Sequence, residues 1–144
     1  MANYYGTTAS NGGKIKKGME KELQAYLDLW GFTGDGDMHT EIRGGFLHVY
    51  GYEDFDPRLL ITKEQAEANE DYEEGEFNDD ADSDPEAFLE GLAPFLEVQG
   101  EDKAQNLIVI HTVGGEKCRF PLGACEMVLR PDGFVESNSF KFWS

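Results

Sequence analysis

The spacing of apolar residues predicts two helices in this chain. Within residues 17–30 the apolar positions are separated by three and four, which places them on one helix face, and Gly31 follows as the expected C-terminal cap. A second helix is predicted at about residues 84–96, where an apolar stripe follows Ser83 and Glu86. These two residues have the spacing of an N-terminal capping box.

Alternating and β-branched residues predict strands in much of the remaining chain. The segments with strand character are residues 2–8, 38–43, 46–52, 59–61, 106–113, 116–120, 124–130 and 134–143. One or two helical turns are expected directly after residues 59–61. The glycine pairs 44–45 and 114–115 are expected to form two-residue hairpin turns. We therefore predict a single α+β domain over residues 1–144, with an antiparallel β-sheet of about five to six strands and two main helices packed on one face.

More than half of the acidic residues lie in one segment, which includes the second predicted helix. Residues 64–102 contain sixteen carboxylates and no lysine or arginine, and nine of the fifteen residues from 70 to 84 are acidic. Charges of one sign at this density repel one another and oppose compaction. The sequence predicts an acidic loop at about residues 69–84 that lies in water or faces a cationic partner.

Composition narrows the classes of partner. The chain has a formal net charge of −17, yet it is 40% hydrophobic and has ten Phe, six Tyr and two Trp, so it is expected to fold. Such an acidic surface repels nucleic-acid phosphates and anionic membranes, which argues against binding to either and favours basic partners. No long apolar run or signal peptide is recognisable, so we expect a cytoplasmic protein.

The sequence contains no complete motif for a metal site, a cofactor or catalysis. Residues 80–84 alternate as at the start of a calcium loop, but Pro85 occupies the position that needs Gly, and Gly91 the position that needs Glu. The histidines have no metal-binding spacing and are expected at half-buried strand positions: His39, His48 and His111. No phosphate-loop or nucleophile motif appears. We predict no metal, no cofactor and no enzymatic activity.

The two cysteines, Cys118 and Cys125, are too few for a disulfide framework. We expect two reduced, buried thiols, although neighbouring strands would allow them to pair. Whether the chain forms a homodimer through its last strand also stays open.

The acidic loop is the candidate binding surface. Carboxylates at high density imitate the phosphates of DNA, and aromatic side chains among them supply the non-electrostatic part of an interface. Tyr72 and Phe77 either anchor a partner or pin the loop to the core. The candidate partner-binding residues are Glu70, Asp71, Tyr72, Glu73, Glu74, Glu76, Phe77, Asp79, Asp80, Asp82 and Asp84.

Two short stretches resemble small acidic proteins carried by phages and plasmids. They are residues 2–7, which read Ala-Asn-Tyr-Tyr-Gly-Thr, and residues 115–120, which read Gly-Glu-Lys-Cys-Arg-Phe and precede Gly123. The resemblance implies an origin on a mobile element. Small acidic proteins of this kind often block host defence as anti-restriction or anti-CRISPR inhibitors, and some imitate DNA. The resemblance carries over no catalytic residues.

These observations predict a non-enzymatic inhibitor of a host defence complex that targets nucleic acids. Its partner would be a basic nucleic-acid-binding protein or complex of the host, and the acidic surface would block DNA binding. One alternative is an acidic accessory or structural protein of a mobile element or a salt-adapted host. The other is a protein that binds a metal or a small ligand.

Overall fold

The chain forms many strands and few, short helices. A computed structural model describes residues 4–32, 38–52, 55–78, 82–98, 106–116 and 121–141. The strands in these ranges are β1 (Tyr4–Ser10), β2 (Gly13–Lys14), β3 (Trp30–Phe32), β4 (Met38–Arg43), β5 (Phe46–Gly51), β6 (Pro57–Leu59), β7 (Ile108–Glu116), β8 (Pro121–Leu129) and β9 (Val135–Lys141). The helices are α1 (Glu20–Leu27), α2 (Lys63–Ala68), α3 (Pro85–Glu90) and the 3-10 helix Ala93–Phe95.

The main sheet confirms the predicted α+β class and antiparallel pairing. Its order is β4-β5-β1-β7-β8-β9, and β2 pairs with β5 on the same edge as β1. Ser10 is the last residue of β1, and its hydroxyl accepts a hydrogen bond from Val49 N at 2.9 Å. This bond ties the chain to β5 at the point where β1 ends and before β2 begins. The described sheet has seven strands rather than five or six, and β3 and β6 form a second, two-stranded sheet.

One face of the main sheet packs against α1 and α3. Ile108, Leu129 and Val135 lie at paired positions on β7, β8 and β9, so their side chains share this face. They join the buried leucines of α1 and Phe88 and Leu89 of α3 in one core. The helical part differs from the prediction of two main helices, since the described residues contain three α-helices of at most eight residues each.

The first helix is shorter than predicted. It ends at Leu27 with Asp28 as its C-cap, and Gly31 lies inside β3 instead of capping the helix. Trp30 pairs with Leu59 in the small sheet. This long-range pairing draws the chain out of the helix although the apolar spacing continues.

The third helix begins one residue later than predicted. Asp84, not Ser83, is the N-cap, and its carboxylate accepts a hydrogen bond from Ala87 N at 3.0 Å. Ser83 instead donates a hydrogen bond from its hydroxyl to the carboxylate of Asp56. The described helix ends at Glu90, and Pro94 lies in the separate 3-10 turn, where a missing N–H is tolerated.

The prediction of a hairpin turn at Gly114-Gly115 is wrong. Both glycines continue β7 and pair with β1, opposite Gly6 and Tyr5, with a register shift between them relative to β8. The predicted strand 124–130 is confirmed as part of β8, which begins earlier, at Pro121. Of the predicted strand 116–120, Glu116 belongs to β7 and residues 117–120 lie outside the described part of the chain.

Phe88 lies at the centre of an aromatic cluster. It is completely buried, and its ring centroid lies 5.3 to 6.1 Å from those of Tyr26, Trp30, Phe32 and Phe55. The Tyr26 hydroxyl donates a hydrogen bond to the Phe88 carbonyl at 2.9 Å. Burial raises the pKa of Tyr26 from 10.0 to about 12, because the phenolate would lose its hydration.

Candidate functional site

The acidic segment begins with a turn closed by its own side chains and backbone. Asn69 directly follows α2, and its side-chain oxygen accepts a hydrogen bond from Asp71 N at 3.0 Å. Tyr72 N donates to the Asn69 carbonyl at 3.1 Å. Asn is suited to such a position because its side chain imitates the backbone of a turn.

Backbone hydrogen bonds then join the segment to β6 and its extension. Ile61 N donates to the Glu76 carbonyl at 2.8 Å, and Gly75 N donates to the Ile61 carbonyl at 2.9 Å. Asn78 N donates to the Leu59 carbonyl at 3.1 Å. Gly75 has a φ of +86°, a conformation that glycine adopts without steric cost. We call residues 69–78 the acidic turn, and these bonds fix its course along the small sheet.

Phe77 packs against the small sheet. A Cβ built on Gly31 would lie 3.0 Å from Phe77 Cε1 and 2.9 Å from Leu60 Cδ2, so the ring and Leu60 press against the glycine backbone. Phe77 still exposes 37% of its surface, and Tyr72 is half-buried. This contact supports the pinning role of Phe77, one of its two predicted roles; both that role and contact of either aromatic residue with a partner stay predictions.

The described candidate carboxylates all lie at exposed positions: Glu70, Asp71, Glu73, Glu74, Glu76, Asp82 and Asp84. Asp84 also caps α3. Asp79 and Asp80 lie outside the described residues. Within the described ranges, no ion pair involves Glu70, Asp71, Glu73 or Glu74. Their charge is available to a cationic partner.

Replacing Phe77 by alanine should loosen the acidic turn. We expect a loss of about 1–2 kcal/mol in the free energy of unfolding, because the ring is only partly buried. Hydrogen exchange should also quicken at the amides of Ile61 and Asn78, which bond across this junction.

Phe46→Ala is the matched control for this variant, because Phe46 is 36% exposed and lies on β5. It should leave the protection of both amides unchanged. If Phe77→Ala also leaves it unchanged, the ring does not pin the turn.

A cleft beside the acidic turn was not anticipated from the sequence. It has a volume of about 280 Å³, and its lining includes the apolar residues Leu29 and Leu60. The lining also includes three acidic residues, Asp28, Glu64 and Glu74. The signal in the sequence was weak, because these residues come from three separate segments whose proximity depends on the pairing of β3 with β6. We call it the acidic cleft.

The three histidines lie on the face of the main sheet opposite the core. His39 and Tyr50 are paired across β4 and β5, with ring centroids 5.5 Å apart. His111 Nδ1 lies 3.7 Å from Glu126 Oε2 on β8. His39 and His111 are exposed rather than half-buried as predicted, and His48 is half-buried. Each of the three histidines alternates with core residues along its strand. Because successive side chains of a strand point to opposite faces, the histidines share the face away from the core.

The cysteine prediction is wrong for Cys125, which is exposed on β8 rather than buried. Cys125 lies on the same sheet face as the core residue Leu129, four residues along β8, so its exposure shows that the core does not extend over this end of the strand. Cys118 lies outside the described residues.

No group of three or more His, Cys, Asp or Glu side chains among the described residues is arranged to hold a metal ion. None of the described helices has the length and apolar character needed to cross a membrane.

Comparison of the chain with protein-family models, curated proteins and solved structures finds no match. The resemblance to small acidic phage and plasmid proteins stays a prediction.

Proposed function

We propose that the protein is a non-enzymatic inhibitor of a host defence complex that targets nucleic acids, of the anti-restriction or anti-CRISPR type. The acidic turn binds the basic groove in which the complex holds DNA. The observation that carries this proposal is the attachment of the acidic turn to β6 and to Gly31. It holds Glu70, Asp71, Glu73 and Glu74 on an ordered backbone, exposed to solvent.

An ordered backbone favours imitation of DNA over simple solubilisation. Duplex DNA has one negative charge per roughly 1.7 Å of helix axis, at regular positions. Carboxylates on a fixed turn lose little conformational entropy on binding. A free acidic tail would lose much more, because its backbone has to be ordered at that step. The association should be fast and should weaken with salt, since opposite charges steer the encounter.

The proposal is tested by transforming plasmid DNA into bacteria that carry a restriction or CRISPR system. Expression of the protein should raise the number of transformants in a strain whose defence targets the plasmid. It should have no effect in the isogenic strain without that defence. A panel of purified nucleases and effector complexes then identifies the partner by loss of DNA binding in the presence of the protein. Absence of protection against every defence type tested would contradict the proposal.

The double variant Glu73→Lys, Glu74→Lys should lose inhibition by at least about tenfold, because it places two cations where the partner's own cations bind. Inhibition is measured as the concentration that halves DNA binding by the partner complex. The control is Glu20→Lys, Glu22→Lys on the exposed surface of α1. Each double variant adds four to the net charge of −17, so both have the same total. Equal inhibition by the two variants would mean that the position of the acidic turn is irrelevant.

A further inference from the structure

Local backbone contacts fix the walls of the acidic cleft. Leu60 N donates to the Leu29 carbonyl at 2.9 Å, which holds these two apolar residues of the lining side by side. Gly75 N donates to the Ile61 carbonyl at 2.9 Å and brings the acidic turn alongside. The cleft is therefore built into the fold by the small sheet.

The start of α2 positions Glu64, one of the acidic residues of the lining. Thr62 and Gln65 form a reciprocal capping box, in which the Thr62 hydroxyl accepts from Gln65 N at 3.2 Å and Thr62 N donates to Gln65 Oε1 at 2.9 Å. Glu64 lies in this capped first turn. The sequence predicts a capping box at Ser83, whereas the structure has one at Thr62 and Gln65.

The size of the cleft suits one long side chain. Its volume of about 280 Å³ lies just below the range of roughly 300–1,000 Å³ for small-molecule pockets. Leu29 is 43% exposed, so the lining offers apolar surface that a bound group would cover. The three acidic residues of the lining outnumber its basic residue, Lys63, which forms no ion pair within the described residues.

A lining that combines apolar and acidic residues matches the chemistry of lysine and arginine. Both have an aliphatic stem that packs on apolar surface and a cationic head that reaches outward to carboxylates. Charge imitation alone would need no apolar surface beside the carboxylates. We propose that the acidic cleft receives a lysine or arginine side chain from the basic surface of the partner protein. The inference rests on the proposed function and adds a defined anchor point next to the acidic turn.

The first test uses a short peptide of alternating arginine and glycine as the probe. Methyl resonances of Leu29 and Leu60 should shift saturably on titration, while those of the fully buried Leu47 stay in place. The same peptide with citrulline in place of arginine keeps the shape but lacks the charge, and it should cause no shift. The inference is overturned if only amides of the acidic turn respond to the arginine peptide.

The second test reduces the apolar part of the lining without changing the charge. Leu29→Gln should weaken binding of the arginine peptide about five-fold, because the aliphatic stem loses its apolar contact. Leu59→Gln is the matched control, since Leu59 is 38% exposed and does not line the cleft. It should bind like the wild type. Equal affinities for all three proteins would overturn the inference.

The two proposals fail in different ways. If Leu29→Gln binds the arginine peptide normally while the Glu73 and Glu74 reversals abolish inhibition, the cleft inference is wrong and the inhibitor function holds. If the cleft binds arginine as expected but no defence system is inhibited, the function is wrong and the cleft recognises a basic partner of another kind.

Discussion

Replacing Phe88 by alanine is expected to destabilise the protein by about 3–5 kcal/mol, because the change opens a cavity in the core. Phe88 is fully buried, and the rings of Tyr26, Trp30, Phe32 and Phe55 surround it. These rings come from α1, β3 and the segment before β6, so one side chain joins the helices to the small sheet. The loss is a large fraction of the roughly 5–15 kcal/mol by which domains are stable.

Urea denaturation followed by tryptophan fluorescence measures this loss. Phe134→Ala serves as control, because Phe134 is 60% exposed, and it should change the stability by no more than about 0.5 kcal/mol. If Phe88→Ala does not fold, Phe88→Leu provides the measurement with a smaller loss. A loss for Phe88→Leu no greater than that of the control would show that the cluster does not hold the core together.

Replacing Gly91 by alanine should destabilise the protein by about 1–3 kcal/mol through overpacking. A Cβ at this position would lie 2.1 Å from the Tyr26 hydroxyl oxygen and 2.6 Å from Cζ. The expected loss of stability does not come from backbone strain, since Gly91 has a helical φ of −67° that alanine also adopts. The new methyl group must push the Tyr26 ring away from its hydrogen bond to the Phe88 carbonyl.

A double-mutant cycle with Tyr26→Ala checks the cause. Once the ring is gone, alanine at position 91 should be neutral or stabilising by up to about 1 kcal/mol, because alanine favours the helical conformation. In the single variant, the displaced Tyr26 regains water, so its phenolate should form at a lower pH than the value of about 12 in the wild type. Ultraviolet titration of the tyrosines measures this shift. The same cost of Gly91→Ala in both backgrounds would exclude the clash.

The two glycine pairs show which elements sequence reasoning can find. Gly44 and Gly45 have φ values of +62° and +82°, and the predicted hairpin of β4 and β5 closes there. Its strands are adjacent in the chain, so local chemistry decides the turn. Gly114 and Gly115 look alike in sequence but pair with β1, more than a hundred residues earlier. A partner so distant in the chain leaves no local signal.

The candidate site also has some features that the sequence predicts and others that it does not. The loop character and exposure of the acidic segment follow from its composition. Its attachment to Ile61 and Leu59 does not, because those hydrogen bonds use backbone groups that every residue has. The sequence predicts a helix cap at Gly31, yet this glycine lies in β3, and its lack of a side chain lets the Phe77 ring approach the backbone. The acidic cleft escaped prediction since Leu29 and Leu60 meet only after β3 and β6 pair.

The bonds between the acidic turn and β6 also bear on aggregation. Unpaired strand edges are templates on which other chains can add, and proteins protect them with charge or with covering segments. Here β6 pairs with β3 on one side. On its other side β6 and its extension bond to the acidic turn, in which Phe77 forms an isolated β-bridge with Leu60. The covering segment is dense in carboxylates, so a second copy of the chain is repelled from this edge. The charges proposed to attract a basic partner thus also discourage self-association through the small sheet.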